Sequence, residues 1–511
     1  MMSHDARTFP ESRVAPRPKR RLFITLCALL LAGIFAGSQL STWPARIQYP
    51  GEQGGIEGMR LAEMLHLRRG VPIYAPATAE RFDAAIYGPL YYLLGSRVID
   101  PGQPAYLPLR LLAALGTLGC AAASGWLAFR VSGRPLAGIL APLIFLSYAW
   151  VSFFGTCSRA DSLALMLVSF GVVVAHRFRE STKILWAIPF FLLPFFYKQQ
   201  FIAAPLAVFL FLALARRYRV AAAFAGLMAA GLAGFLALFQ FVIFRGQGFL
   251  LHFVRYNVVS FTWTQYRSGL IVFAMFFLVP LLVGLECVRD RREKFLACYL
   301  VAAVASSLLS VGKTGSDPIY FLECIFVMSA LFAALLSLRI AVPDRAAELL
   351  ALLVVALFVG QFFGRRAPDS SDFAADLAVQ DYLRRNFAPH TRALGFYAGD
   401  LVRAGLDTPI SDVFQYTLLI RKGTLPERDL VAALERRDFK LIILMFDLPA
   451  GKDLGCRSLT LTEGMARAMI ENYRLDASLE LPGPEKYHFE DRFYAWVPRS
   501  SGPATVGDSS P

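Results

Sequence analysis

Charge is scarce in this 511-residue chain, where Asp, Glu, Lys and Arg make up 18% against 56% hydrophobic residues. A soluble domain carries about a quarter charged residues, so much of this chain is written for lipid. Cysteine is sparse and lacks a pairing pattern. Cys27, Cys120, Cys157, Cys287, Cys298, Cys324 and Cys456 are odd in number and show no CxxC spacing, which excludes a disulfide or zinc framework. All but Cys456 lie in or beside apolar segments and read as small buried hydrophobes. The six histidines have no ligand spacing. No H-E-x-x-H, G-x-S-x-G, Walker or Rossmann glycine pattern stands in a usable context, which argues against metalloproteases, serine hydrolases and dinucleotide enzymes. The formal charge of +14 would suit nucleic acid, but Lys and Arg fall in short clusters between apolar runs. That is how topology is encoded, so no nucleic-acid partner is expected.

What the chain has in quantity is apolar runs. A bilayer span takes about 20 residues at 1.5 Å rise. Eleven runs fall near 22–43, 109–129, 136–154, 162–176, 184–197, 201–215, 220–244, 269–287, 295–311, 319–338 and 347–363. Three of them, 162–176, 184–197 and 201–215, are short; if the last two form one re-entrant hairpin, parity survives and the count falls by two. The first run follows Arg17, Lys19, Arg20 and Arg21 and exceeds a cleavable signal core of about 7–15 residues, so a retained anchor with a cytoplasmic tail over 1–21 is expected. On that parity the cytoplasmic loops hold fourteen basic residues, in clusters such as Arg177, Arg179 and Lys183, and the short outer loops hold six. The bias supports the chosen orientation. The expected fold is a polytopic α-helical membrane domain of about eleven transmembrane helices over 22–363, with a long first outer loop at 44–107. A small soluble α/β domain at 364–500 follows on the outer side, with strands near 392–397, 439–446 and 493–497 and helices near 373–386 and 427–437. The polar terminus 501–511 is expected to be disordered.

Polar groups suited to chemistry gather in the outer loops. Glu52 and Glu57 lie in a Gly-rich turn after the first run, and Leu61, Met64 and Leu65 then form a helical stripe suited to the bilayer surface. A carboxylate at the membrane edge serves as a general base, or is a solvated loop acid. Asp161, in the turn CSRAD, either caps the helix it opens, pairs with Arg159, or belongs to a site. Lys198, followed by Gln199 and Gln200, neutralises a phosphate or snorkels to the interface. Lys313, between Gly312 and Gly315, has the parts of a phosphate perch. Glu323, one turn inside the tenth run, needs a partner, for which Lys198 and Lys313 are the obvious choices.

An N-terminal anchor, the loop GGIEGMRLAEMLHLRRGVPIY, the segment YGPLYYLL, and the turns SRADSLAL, YKQQ and GKTGSDPIYFLE, in this order and on one side, resemble the GT-C superfamily of polytopic glycosyltransferases. The likeness is to the protein O-mannosyltransferase and aminoarabinose transferase branch; it covers roughly residues 20–363, with the tail matching in placement alone. It implies an inverting transfer of a hexosyl or pentosyl group from a polyprenyl-phosphate donor. The acceptor would be a glycolipid, polysaccharide or protein of the cell envelope, on the periplasmic face of a bacterial inner membrane. Nucleotide sugars are cytoplasmic, so an outer site needs a donor carried by lipid. The resemblance puts Glu57 at the first-loop acid and Asp161 at the second-loop acid. Lys198 and Lys313 would hold the donor phosphate, with Arg159, Tyr320 and Glu323 beside them. Ile56 precedes Glu57 where the family often has a second acid, so Glu52 is an alternative base. Ile86 and Tyr87 stand where the related branch has an acid and a lysine, so no cofactor is expected and a divalent metal lacks support. A transporter or flippase of a lipid-linked substrate is the alternative reading, and a scaffold whose outer domain binds a partner is a third.

Overall fold

A computed structural model describes residues 18–53, 56–257, 260–340, 342–361, 366–448, 460–480 and 492–499. The tail before Pro18, the end of the last expected span at 362–363, Cys456 and the terminus 501–511 lie outside these residues. Among the described residues, six helices are long and apolar enough to cross a membrane: Lys19–Gln48, Leu107–Ser132, Tyr218–Ile243, Trp263–Arg291, Lys294–Val311 and Pro318–Arg339. Pro135–Ser147 and Ala149–Thr156, bent by 74°, would make a seventh if they form one span. The bend falls at Tyr148, whose extended backbone releases the Ala149 amide to the Gly360 carbonyl at 2.9 Å. The other four expected spans are also helical, at Asp161–Arg177, Thr182–Phe195, Ala203–Leu214 and Pro343–Val359, but shorter. Twelve helical residues cover about 18 Å against a hydrocarbon core of about 30 Å. Six or seven helices therefore meet the length requirement, against the eleven expected.

Contacts between loops sort the bundle into two ends. At one end Arg20 pairs with Asp344 at 2.8 Å, His176 meets Glu293 at 3.3 Å, Arg291 donates to the Val131 carbonyl at 3.1 Å, and Arg339 pairs with Glu286 at 3.1 Å. At the other, Trp43 donates to Ser152 at 3.0 Å, Gln39 to Gln361, and the Thr262 amide to the Gly312 carbonyl at 2.9 Å. The first set joins the Arg-rich turns and the second joins the turns that carry the acids and lysines. Helix Pro318–Arg339 is almost wholly buried and forms the axis on which the others pack.

The C-terminal part sits on the second end. Strand β1 (Ala393–Gly395) runs parallel to β2 (Leu441–Leu444); β2 pairs antiparallel with a late strand (Arg492–Pro498), which pairs antiparallel with the preceding one (Tyr473–Glu480). Leu441 to Leu444 are all buried, as a continuous apolar strand covered on both faces requires. Helix Glu57–Arg68 is held between this domain and Pro89–Val98. Leu61, Met64 and Leu65 are fully buried, so the stripe expected to lie on the bilayer surface packs inside the protein instead. Gly58 and Gly399 make the close approach: a Cβ on either would lie 2.6 Å from the other's backbone.

Candidate functional site

Glu57 opens its helix and is completely buried. Arg110, in the first turns of Leu107–Ser132, donates to both of its oxygens, from Nε at 3.0 Å and Nη2 at 2.6 Å. The backbone amides of Gln53 (2.8 Å) and Ser158 also donate to it. Burial alone would push this carboxyl up, but the Arg110 charge and hydrogen bonds, with the two amides, hold it below its ordinary value. Arg110 spends its other donors on the carbonyls of Arg46 (3.2 Å), Tyr49 and Gly51 (2.7 Å). The pair thus ties the first loop to the second turn. Glu52 is buried beside Gly58. Arg110 escaped the reading of the sequence, although a lone arginine entering an apolar helix is a costly group that asks for a partner.

A second cluster centres on Asp161, which is also buried. Lys198 Nζ lies 2.6 Å from Oδ1, Gln200 donates to the same oxygen at 3.3 Å, and Arg159 Nε lies 3.4 Å from Oδ2. Asp161 does not cap its helix; its pairing with Arg159, one of the expected alternatives, is present and is joined by the shorter bond to Lys198. Lys198 lies over the rings of Tyr87 (5.2 Å) and Tyr320 (5.4 Å), so it does not snorkel to the interface. Its turn is clamped to the YGPLYY segment, with the Gly88 amide bonded to the Tyr197 carbonyl at 2.9 Å. A Cβ at Gly88 would collide with the Phe196 carbonyl, 1.9 Å away. Arg159 also reaches Asp317 at 3.1 Å, which links the second and fourth outer turns.

Above this cluster, between the helix ends and the C-terminal domain, lies a cavity of about 390 Å³. Arg159, Lys198, Lys313 and Tyr320 line it, together with Arg60, Tyr87 and Asp317 and, from the C-terminal domain, Asp412 and Phe414. Four cations and two carboxylates line it, and Glu63 behind Arg60 and Asp161 behind Lys198 and Arg159 bring the acids to four, so what suits a phosphate ester is the convergence of Arg159, Lys198 and Lys313 on one wall rather than an excess of charge. Glu52, Glu57, Asp161 and Glu323 are not among its lining residues. Glu323 does not find a lysine: Tyr299, on the neighbouring helix, donates to it at 3.1 Å, and Lys198 is committed to Asp161. A hydroxyl satisfies this carboxyl without bringing a second charge into the bundle. Asp317 was visible in the quoted GKTGSDPIYFLE turn but was not singled out. Asp412 pairs with Arg60 at 3.4 Å across a sequence gap that no local pattern bridges. Burial raises the Asp412 carboxyl, against the opposing pull of Arg60 and the Gln415 amide. Among the described residues no group of three or more His, Cys, Asp and Glu side chains is arranged to hold a metal ion.

No protein-family description matches the sequence, and no curated protein matches it. The fold is that of solved structures of ArnT. ArnT from Cupriavidus metallidurans bound to undecaprenyl phosphate superposes with a TM-score of 0.55 at 12% identity, over 92% of this chain and 98% of that one. Its apo form gives 0.53 at 11% identity, over 91% and 97%. The apo oligosaccharyltransferase of Archaeoglobus fulgidus aligns at 0.47 and 12% identity, over 90% of this chain and 73% of that one.

Proposed function

We propose that this chain is an integral membrane glycosyltransferase that moves a sugar from a polyprenyl-phosphate-linked donor to an acceptor of the cell envelope, on the periplasmic face of a bacterial inner membrane. The observation that carries the reading is the convergence of Arg159, Lys198 and Lys313, from three separate turns, on one cavity at the end of an apolar bundle. A phosphate attached to a lipid would reach such a wall with its chain still among the helices. The fold shared with an ArnT structure bound to undecaprenyl phosphate supports the same donor class. The bias of basic residues toward the opposite end supports the orientation.

In this reading Lys198, Arg159 and Lys313 stabilise the negative charge that grows on the phosphate as the sugar leaves, and Asp161 fixes the first two in place. Tyr320 adds its ring to the same wall. An inverting course needs a base on the acceptor side of the sugar. The resemblance assigns that role to Glu57, or to Glu52. Glu57 enters this role only by exchanging part of its contact with Arg110, whereas Asp317 already lines the cavity and its side chain is 33% exposed. Transfer from undecaprenyl-phosphate sugars in reconstituted vesicles tests the whole. Glu57→Gln, Asp317→Asn, Asp161→Asn and Lys313→Ala are compared with the wild type, and unchanged rates in all four would sink the proposal.

A further inference from the structure

Of the six residues through which the C-terminal domain lines the cavity, three, Asp412, Phe414 and Gln415, lie on one short segment, 409–415. Its backbone is stitched to the first outer loop: the Phe82 amide donates to the Pro409 carbonyl at 2.7 Å, and the Ser411 amide to the Phe82 carbonyl at 2.9 Å. Side chains hold it on further sides. Ser411 donates to Glu63 at 3.2 Å, Asp412 accepts from Arg60 at 3.4 Å, and Gln415 donates to the Tyr256 carbonyl. A segment fixed at so many points presents its remaining groups rigidly, which lowers the entropic cost of binding. Those groups are the half-buried Phe414 ring, which stands opposite Gly315 of the lysine turn, and the Asp412 carboxylate. Thr460, from the same domain, lines the cavity beside them.

An aromatic face next to a carboxylate and a threonine is poorly matched to a phosphate and well matched to a ring of C–H groups edged with hydroxyls. The carboxylate has lone-pair capacity beyond that given to Arg60 and the Gln415 and Phe414 amides, and a threonine hydroxyl both donates and accepts. The cationic wall lies across the cavity. We infer that segment 409–415, with Thr460, forms a subsite for a hydroxylated sugar ring: Phe414 is the platform, and Asp412 and Thr460 are the hydroxyl partners. The inference rests on the proposed reading that the opposite wall takes a phosphate. The ring comes either from the donor or from a sugar of the acceptor.

Equilibrium binding to the full chain in nanodiscs separates these sources. One arm compares undecaprenyl phosphate with its mannosyl, glucosyl and arabinosyl derivatives; the other titrates the methyl glycosides of the same sugars with undecaprenyl phosphate saturating. In the donor case a glycosylated lipid binds the wild type about tenfold tighter than the bare lipid, roughly the worth of one good hydrogen bond and some stacking. In the acceptor case a methyl glycoside binds saturably. In either case Phe414→Ala and Thr460→Val abolish the sugar preference and leave bare-lipid affinity within about twofold, while Phe414→Tyr restores it. Lys313→Ala weakens every lipid probe alike. Failure of all lipid probes to bind would count against the phosphate reading and not against the subsite, which the methyl glycosides, titrated without lipid, then test alone. Absence of sugar preference in both arms, or a preference that survives Phe414→Ala and Thr460→Val in unfolding-competent protein, overturns the inference.

Discussion

The two ends of the helical bundle handle charge differently. At the Arg-rich end the outermost pairs are in water, with the side chains of Arg20 and Asp344 at 55% and 82% exposed and Glu180, beside Arg179, at 81%, although His176 and Glu293 are exposed by only 2% and 11%. At the end under the C-terminal domain, Arg110 and Glu57 are both at 0%, Arg60 and Glu63 at 1% and 0%, and Lys198 and Asp161 at 8% and 0%. Exposed pairs contribute about 0–1 kcal/mol, while breaking a buried pair leaves a stranded charge that costs about 3–5 kcal/mol. In the proposed topology, charge at the first end orients the chain in a membrane. At the second end it is built into the protein, and there a further division matters: Glu57 and Arg110 are saturated and closed off, whereas Arg159, Lys198 and Asp317 border a cavity.

The comparison is most exposed to failure at Arg110. Arg110→Ala removes five hydrogen bonds to the first loop and leaves Glu57 buried without its counter-charge. Thermal unfolding of the full chain in detergent is expected to fall by many degrees, corresponding to about 3–5 kcal/mol. Glu57→Gln, combined with Arg110→Ala, should cost much less than the two changes summed. A midpoint that stays put in Arg110→Ala would mean that the buried knot is not structural.

Next in size are changes beside the cavity, and here activity and stability should separate. Lys198→Ala and Asp161→Asn are expected to lower transfer about 10²–10³-fold, the usual consequence of removing a donor that stabilises developing charge. Their unfolding midpoints should move less than that of Arg110→Ala, because Lys198 keeps neighbours in Tyr87 and Tyr320 and Asp161 keeps Arg159. Equal losses of stability in both clusters would erase the distinction between scaffold and site.

Much of this arrangement was legible in the sequence, for reasons that also mark where legibility stops. Apolar runs declare themselves locally, and a helix stands at each of the eleven, but whether a 12-residue helix such as Ala203–Leu214 crosses a membrane depends on packing that composition does not record. Lys198 and Lys313 stood out because a cation beside an apolar run is costly, and both line the cavity. Apart from Arg159 beside Asp161, the partners of the acids were not legible. Glu57 and Arg110 are 53 residues apart, and Arg60 and Asp412 are 352 apart, so only the folded chain brings them together. Glu323 was expected to need a cation, yet a tyrosine hydroxyl serves, because pairing depends on which helix faces it. The strand Tyr473–Glu480 was legible and was missed: YRLDASLE alternates apolar and polar residues with the period of two that marks a half-buried strand.

A smaller effect is expected where the C-terminal domain meets the first loop. Asp400 and Asp376 share Arg403, at 3.0 Å and 2.8 Å. Burial pushes Asp400 up to about 7, with the nearby Asp376 adding to the rise and Arg403 opposing it. Since the folded state holds this proton more tightly than the unfolded chain, the stabilisation is complete at acid pH, below the ordinary carboxylate value, and is lost as pH rises toward and past 7. Asp400→Asn mimics the protonated form. Its unfolding midpoint should exceed that of the wild type by a few degrees at pH 8, and the gap should narrow as pH falls and close below about pH 4, where the unfolded carboxyl is protonated too. The same gap at both values would show that Asp400 does not titrate there.

The smallest effect is expected at the Arg-rich end, and it is informative because it is small. Arg20 and Asp344 meet at 2.8 Å, a distance that elsewhere in the molecule marks a critical pair. Both side chains stay largely in water, which solvates each charge nearly as well alone as together, and holding two long side chains in register costs entropy. A double-mutant cycle of Arg20→Ala and Asp344→Ala should therefore give a coupling near zero, shrinking further with added salt. Coupling of more than about 1 kcal/mol would indicate that this end is organised as tightly as the other. Exposure would then no longer separate charges that orient the chain from charges that build its site.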